Sequence, residues 1–203
     1  MTTTTCIPET KAAAPRQRRK GPGTTIAWLA VSLLLLWAAA GVFLYVAPAS
    51  DAPKHADVLF VLGPPDSRMT YAERLMDQGY AGTLAVSVPL DKRGLPSLAL
   101  CNERRTYRII CFHPEPFTTQ GEARALQSLS QENGWKSADV LTAQFHITRA
   151  RVIVQRCYEG DLSMVAFQQK LPLVSFTKPE ASWVYQYAYQ TAAFVKVALR
   201  EGC

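Results

Sequence analysis

One uninterrupted apolar run constrains this chain more than any other feature. From Thr25 to Ala47 it reads TIAWLAVSLLLLWAAAGVFLYVA, without a charge or a proline. As a helix these 23 residues extend ~34 Å at ~1.5 Å each, enough for a hydrocarbon core of ~30 Å. The run has no polar face, which argues against a helix buried in a soluble core. Trp28 and Tyr45 stand near its ends, where amphipathic rings favour a membrane interface. Residues 25–47 therefore read as a transmembrane helix in contact with the lipid bilayer. The alternative is a cleaved signal peptide, since Ala47–Ser50 reads APAS, a small-x-small pattern. The run exceeds the ~7–15 apolar residues of a signal core, which favours an uncleaved anchor.

Charge supplies an orientation. Most of the formal net charge of +6 comes from Lys11, Arg16, Arg18, Arg19 and Lys20, opposed in that tail by Glu9 alone. Positive flanks stay in the cytoplasm, so a single-pass protein of the plasma membrane is expected, with a cytoplasmic N-terminus and an extracytoplasmic domain. Charge concentrated in that tail is a topology signal and a contact for anionic lipid, not a nucleic-acid surface. Cysteines agree with this compartment. Cys6 lies on the expected inner side, and Cys101, Cys111, Cys157 and Cys203 lie outside, an even number. Four cysteines allow three pairings. We favour Cys101–Cys111, which closes a local loop, with Cys157–Cys203, which ties the C-terminus to a helix end; unpaired buried cysteines are the alternative. No zinc-type Cys/His spacing occurs, so no metal is expected, and no cofactor is indicated.

Four segments follow. Residues 1–24 are rich in Thr, Ala, Pro and basic residues and read as a disordered tail. Residues 25–47 are the membrane helix, 48–56 a short extended linker, and 57–203 one domain. Within the domain, apolar runs at 57–62, 83–88, 107–112, 139–143 and 163–167 read as strands. Helical patterns fall at 67–79 (with Asp66 as cap), 119–133, 146–157 and 179–199, and a polar, Pro-containing loop separates the second and third strands. Trp183, Tyr187, Phe194 and Val197 are available for one face of the last helix. Apolar strands alternating with helices predict a doubly wound α/β domain, a mainly parallel five-stranded sheet with helices on both faces, preceded by one transmembrane helix. Ligands of such folds bind beyond the carboxyl ends of the strands, where strand order reverses.

Three loops should meet there. The first, GPPDSR, carries Gly63, which allows a sharp exit, and Arg68 in the next helix's first turn. The second, EPFTTQGEA, holds Thr119 and Glu122 at capping-box spacing, while Glu115 lies in the loop before them with no helix to explain it. A carboxylate there suits a general base or a hydroxyl partner. The third, LTAQFHITRAR, places His146 and Arg149 three apart on one helix face, where imidazole, guanidinium and backbone N–H groups can meet one anion.

These motifs, in this order, resemble the SanA/YdcF-like family, which also includes ElyC. The resemblance spans roughly residues 56–170. It rests on Leu62-Gly63 followed by Arg68, Ala72 and Leu75, a strand ending at Ser87, then Glu115, Thr119, Glu122 and Ala123. Last comes Thr-x-x-aromatic-His-x-x-Arg-Ala, here Thr142, Phe145, His146, Arg149 and Ala150. Pro64-Pro65, Val88-Pro89 and Thr118 depart from the family pattern. The resemblance implies a membrane-anchored Rossmann-like domain linked to cell-envelope biogenesis or integrity. A phosphate- or pyrophosphate-bearing envelope precursor is the expected ligand. Gly63, Arg68, Ser87, Thr119, Glu122 and Arg149 are expected to bind it, with Glu115 and His146 as the catalytic candidates. A non-catalytic scaffold or binding module for envelope assembly is the alternative.

Overall fold

The structure, a computed structural model, describes residues 22–65, 67–200 and 202–203. The tail up to residue 21, Cys6 and the expected cap Asp66 lie outside the described residues. The chain divides into two compact units, residues 1–38 and 39–203.

In the first unit the described chain is helical throughout, as part of α1 (Pro22–Gly41), and its Ile26, Trp28 and Leu33–Leu36 side chains are exposed. Residues Gly23–Val46 are long and apolar enough to cross a membrane.

The second unit carries an all-parallel sheet in the order β3-β2-β1-β4-β5. Its strands are β1 (Ala56–Val61), β2 (Ala81–Ser87), β3 (Arg108–Phe112), β4 (Ser137–Ala143) and β5 (Asp161–Phe167). Alternation along β1 divides the core. Val58, Phe60 and Leu62 pack with α3 (Thr119–Asn133) and α4 (Ile147–Cys157), through residues such as Ala123, Leu126, Ile147 and Val154. Leu59 and Val61 face the other way, onto Met69, Ala72, Leu75 and Met76 of α2 (Met69–Asp77). Both faces of the sheet are covered, which is why its strands are apolar on both sides. The β3-to-β4 connection carries the chain from one side of β1 to the other and changes the covered face. Strand order therefore reverses between β1 and β4, where the expected crevice should open.

Several details refine the expectations. Between β2 and β3 the chain has only a short 3₁₀ turn, Ala99–Asn102, and the Cys101–Cys111 disulfide ties it to β3. Cys157–Cys203 joins the end of α4 to the C-terminal residue. The predicted helix 179–199 is divided: Pro179–Ala181 forms a 3₁₀ turn, Ser182 is extended, and α5 runs from Trp183 to Ala198. The break has a local cause, because the first N–H groups of α5 are taken by Pro172 O (3.0 Å) and Leu173 O (3.1 Å).

The stretch read as a linker is docked. The Asp51 backbone N–H donates to Met164 O (2.8 Å), and its carboxylate accepts from Met164 N (2.7 Å) and pairs with Arg151 (2.9 Å). Tyr45, expected at a membrane interface, is instead buried. It meets Tyr187 edge-on at 5.4 Å, lies 6.3 Å from the Phe194 ring, and bonds Thr191 Oγ1 at 3.2 Å. Residues 42–46 form a π-helical turn whose Leu44 and Val46 carbonyls accept from Thr148 Oγ1 (2.8 Å) and Gln144 Nε2 (2.6 Å).

Candidate functional site

A cleft of about 720 Å³ opens at the reversal point. Its floor is the carboxyl end of β1 and β4, one side is the loop before α3 and the starts of α3 and α4, and the other side is α5. Arg68, Arg149, Arg156, Lys196 and Arg200 line it, against the carboxylates of Glu122 and Glu180. The excess of guanidinium and ammonium groups suits an anion.

His146 is the centre of the polar group. It is the last residue of a 3₁₀ turn, Gln144–His146, that leads into α4. Its Nδ1 lies 3.0 Å from Thr142 Oγ1 and its Nε2 lies 3.4 Å from Thr119 Oγ1. Burial, with the charges of Arg149 and Arg68 nearby, holds its pKa well below 6.5. The ring is thus neutral at neutral pH. Arg68 is buried; its Nη1 donates to Leu62 O (3.0 Å) and Thr142 Oγ1 (3.4 Å). Arg68 and His146 therefore share one hydroxyl.

Glu122 does a different job from the one its spacing suggests. The cap of α3 is Thr118, whose extended backbone lets its Oγ1 accept from Gly121 N (3.3 Å). Thr119 is thereby freed to face His146. Glu122 instead accepts from Gly63 N at 2.5 Å, bridging the start of α3 to the end of β1. Burial pushes its carboxyl above the usual 4.5, against the opposing pull of the Gly63 N–H, Ser87, Arg68 and Arg149. Gly63 is closely surrounded: a Cβ there would stand 3.0 Å from both Phe117 and Ser87 Oγ, and 3.1 Å from Ser87 O, so these neighbours would have to give way. The Gly63 N–H is thus committed to Glu122 and does not cradle an anion.

Arg149 extends from α4 toward α5. Its Nε donates to Gln190 Oε1 (2.9 Å), and the guanidinium carbon lies 6.0 Å from the centre of the Tyr189 ring. Gln190 Nε2 donates to Gln186 Oε1 (3.1 Å), and Gln186 Nε2 to Glu180 O (2.7 Å). Burial lowers the Arg149 pKa, offset by Tyr189 and Glu122, but a guanidinium remains charged.

The structure therefore brings together Gly63, Arg68, Thr119, Glu122, His146 and Arg149. It does not bring Glu115, which is exposed, absent from the cleft lining, and without a side-chain hydrogen bond or ion pair among the described residues. Ser87 is fully buried beneath Gly63 and has no surface in the cleft; its Oγ forms no hydrogen bond of full geometry, although it is close enough to Glu122 to favour the charged carboxylate. Sequence reasoning missed the α5 side, above all Gln186 and Gln190. The signal available was a polar residue every fourth position, Ser182, Gln186 and Gln190, in an otherwise apolar helix. Among the described residues no group of three His, Cys, Asp or Glu is placed to hold a metal. Comparison of the chain with protein-family models, with curated proteins and with solved structures yields no match.

Proposed function

We propose that this chain is a membrane-anchored, extracytoplasmic protein of the SanA/YdcF-like kind that binds or acts on a phosphate- or pyrophosphate-bearing precursor of the cell envelope. One observation carries the reading: a buried guanidinium, Arg68, a half-buried one, Arg149, and a neutral imidazole converge on a cleft at the strand-order reversal. Arginine's planar fork matches phosphate oxygens. Thr142 Oγ1 can accept from Arg68 and give its own hydrogen to Nδ1 of His146, which leaves the ring hydrogen on Nε2, toward Thr119 and the cleft. In that tautomer His146 is a donor to an anionic oxygen. Glu122 is a positioning residue that holds Gly63 against α3. The apolar helix and the disulfides support an anchor and an oxidising compartment.

A second reading, a non-catalytic binding module, draws support from the placement of Glu115. The carboxylate that would have served as a base lies outside the cleft. Both readings share the anion site, so one experiment orders them. Full-length protein in nanodiscs is titrated with inorganic pyrophosphate and then assayed for phosphate release from phosphomonoesters and pyrophosphate esters. Binding that weakens about 10–100-fold in Arg149→Ala, as loss of a charged hydrogen bond implies, supports the site. Turnover abolished by His146→Gln selects the enzyme, and binding without turnover selects the module. Equal binding by wild type and Arg149→Ala rejects both.

A further inference from the structure

Helix α5 buries polar side chains and, with the segment before it, leaves large apolar ones exposed. Ser182, Gln186 and Gln190 are buried, while Val184, Val195 and Leu199 are 55, 56 and 80% exposed. The preceding segment exposes Leu173 (71%), Val174 (49%) and Phe176 (95%). This segment is not a loose loop. Besides the bonds from α5 to Pro172 O and Leu173 O, Lys178 N donates to Ser175 Oγ (3.2 Å), Ala181 N to Lys178 O (2.9 Å) and Ser182 Oγ to Pro179 O (2.6 Å). A hydrogen-bonded backbone that holds three large apolar side chains outward forgoes their burial unless something covers them.

The path of the chain indicates the cover. A Cβ on Gly41 would run into the Tyr187 ring, and Tyr45 meets Tyr187, Thr191 and Phe194. Contacts on α5 advance as residues 41–45 advance. Traced backwards, the chain therefore approaches the first turns of α5, the end that carries Val184 and bonds Leu173. The residues before Gly41 are the apolar helix. If that helix crosses a bilayer, on which this inference rests, the membrane surface lies within a few residues of Gly41, toward the end of α5 that bonds Leu173. Val42 and Phe43, both exposed, belong to the same neighbourhood. Exposed Lys170 and Lys178 flank the apolar segment and suit anionic headgroups.

We propose that Leu173, Val174 and Phe176, with Val184 of α5, form a second membrane contact, seated in the lipid interface. Leu171, Ala181 and Tyr185 line the cleft from this same part of the chain, so the cleft then opens at the lipid surface.

The test uses the full chain in vesicles of phosphatidylcholine and phosphatidylglycerol. Cys6→Ser leaves the disulfides intact, and single cysteines are introduced by Phe176→Cys, Ile26→Cys or Gln131→Cys and labelled with nitrobenzoxadiazole. Phe176, Ile26 and Gln131 are all exposed, so folding is not at risk, and Gln131 lies near the end of α3, at the opposite edge of the sheet. Lipid carrying a shallow doxyl group should quench most emission at positions 26 and 176 and leave position 131 bright. Quenching at 26 but not at 176 overturns the second contact and spares the spanning helix. No quenching at either position rejects the spanning helix, and the second contact with it. Equal quenching at 131 and 176 overturns the proposal, because the surface is then not selective. A blue shift at 176 that ignores doxyl lipid but grows with protein-to-lipid ratio overturns it in favour of a second copy of the chain.

Discussion

The two sides of the cleft are built on different rules. On the side formed by strand ends and the starts of α3 and α4, apolar residues fill the core and polar ones stand at the sheet edge. Phe60, Leu62, Leu126 and Ile147 lie beneath Arg68, Thr142 and His146. On the α5 side the deepest residues are polar, Gln186 and Gln190, while Val184, Tyr189, Val195 and Leu199 are exposed. The first arrangement is fixed by the sheet, whose parallel register leaves Arg68 and His146 little choice of position. The second hangs on one hydrogen-bonded series, from Arg149 through Gln190 and Gln186 to Glu180 O. The comparison teaches a division of labour: the sheet edge supplies the charge, and α5 determines what can reach it.

The strongest way to break this contrast is to disturb each side by one methyl group or one hydroxyl. A Cβ at Gly121 would lie 2.1 Å from the backbone oxygen of Pro116, an atom that cannot swing away. Gly121→Ala should cost about 3 kcal/mol or more, as overpacking against backbone does. Ala188→Ser, on the exposed face of α5, should change stability by less than about 0.5 kcal/mol. Urea unfolding of the full chain in detergent measures both, and equal costs would remove the distinction in rigidity. Charge gives the next test. Arg149→Ala should weaken pyrophosphate binding about 10–100-fold, whereas Lys196→Ala, an exposed cation on α5, should weaken it only a few-fold. Calorimetric titration in nanodiscs reads the ratio.

The same contrast explains what the sequence makes legible. The doubly wound sheet follows from apolar runs such as DVLFV, which leave no solvent face, and the crevice follows from parallel order. His146 and Arg149 are readable because a short spacing at a strand-to-helix junction fixes their direction. Glu122 is only half readable. Its spacing from Thr119 implies a cap, and the bond to Gly63, 59 residues away, has no local trace. Glu115 is misleading for the converse reason, since a loop carboxylate next to prolines carries no information about where it points. On α5 the expected apolar face does pack inward through Tyr187, Phe194 and Val197, yet Gln186 and Gln190 lie deeper, because the half-buried Arg149 needs an acceptor there.

Titration sharpens the strand-end side at a smaller scale. Folding depresses the His146 pKa below 6.5, so the unfolded chain binds the extra proton. The stability this ring contributes is full above pH 6.5 and is lost as the pH falls through its lower folded value. Glu122 has the opposite sign: its folded value lies above 4.5, so its contribution is full below pH 4.5 and is lost as the pH rises through that folded value. His146→Gln should flatten the acid side of a stability-versus-pH curve, and Glu122→Gln the side toward higher pH. Ligand binding reverses the histidine's sign, because a bound anion favours the imidazolium. Pyrophosphate affinity in wild type should rise by up to about tenfold per pH unit as the pH falls toward the ring's lowered folded value, apart from the ligand's own titration. That extra slope should vanish in His146→Gln.

The smallest expected effect on binding bears most directly on α5. Gln190→Leu keeps the volume of the side chain and removes the acceptor for Arg149 and the donor to Gln186. Only one partner of each bond is removed, which leaves Arg149 Nε and Gln186 Oε1 unsatisfied, so stability should fall by about 1–3 kcal/mol. Arg149 keeps its charge and its place over Tyr189 but loses the bond that fixes its rotation. Pyrophosphate affinity should therefore fall about threefold, an energy of roughly 0.7 kcal/mol, while the pH slope from His146 stays intact. A loss as large as that of Arg149→Ala would mean that α5 holds the charge as well as guarding it. An unchanged affinity would mean that the glutamine series serves the helix alone, and the two sides of the cleft would then be independent.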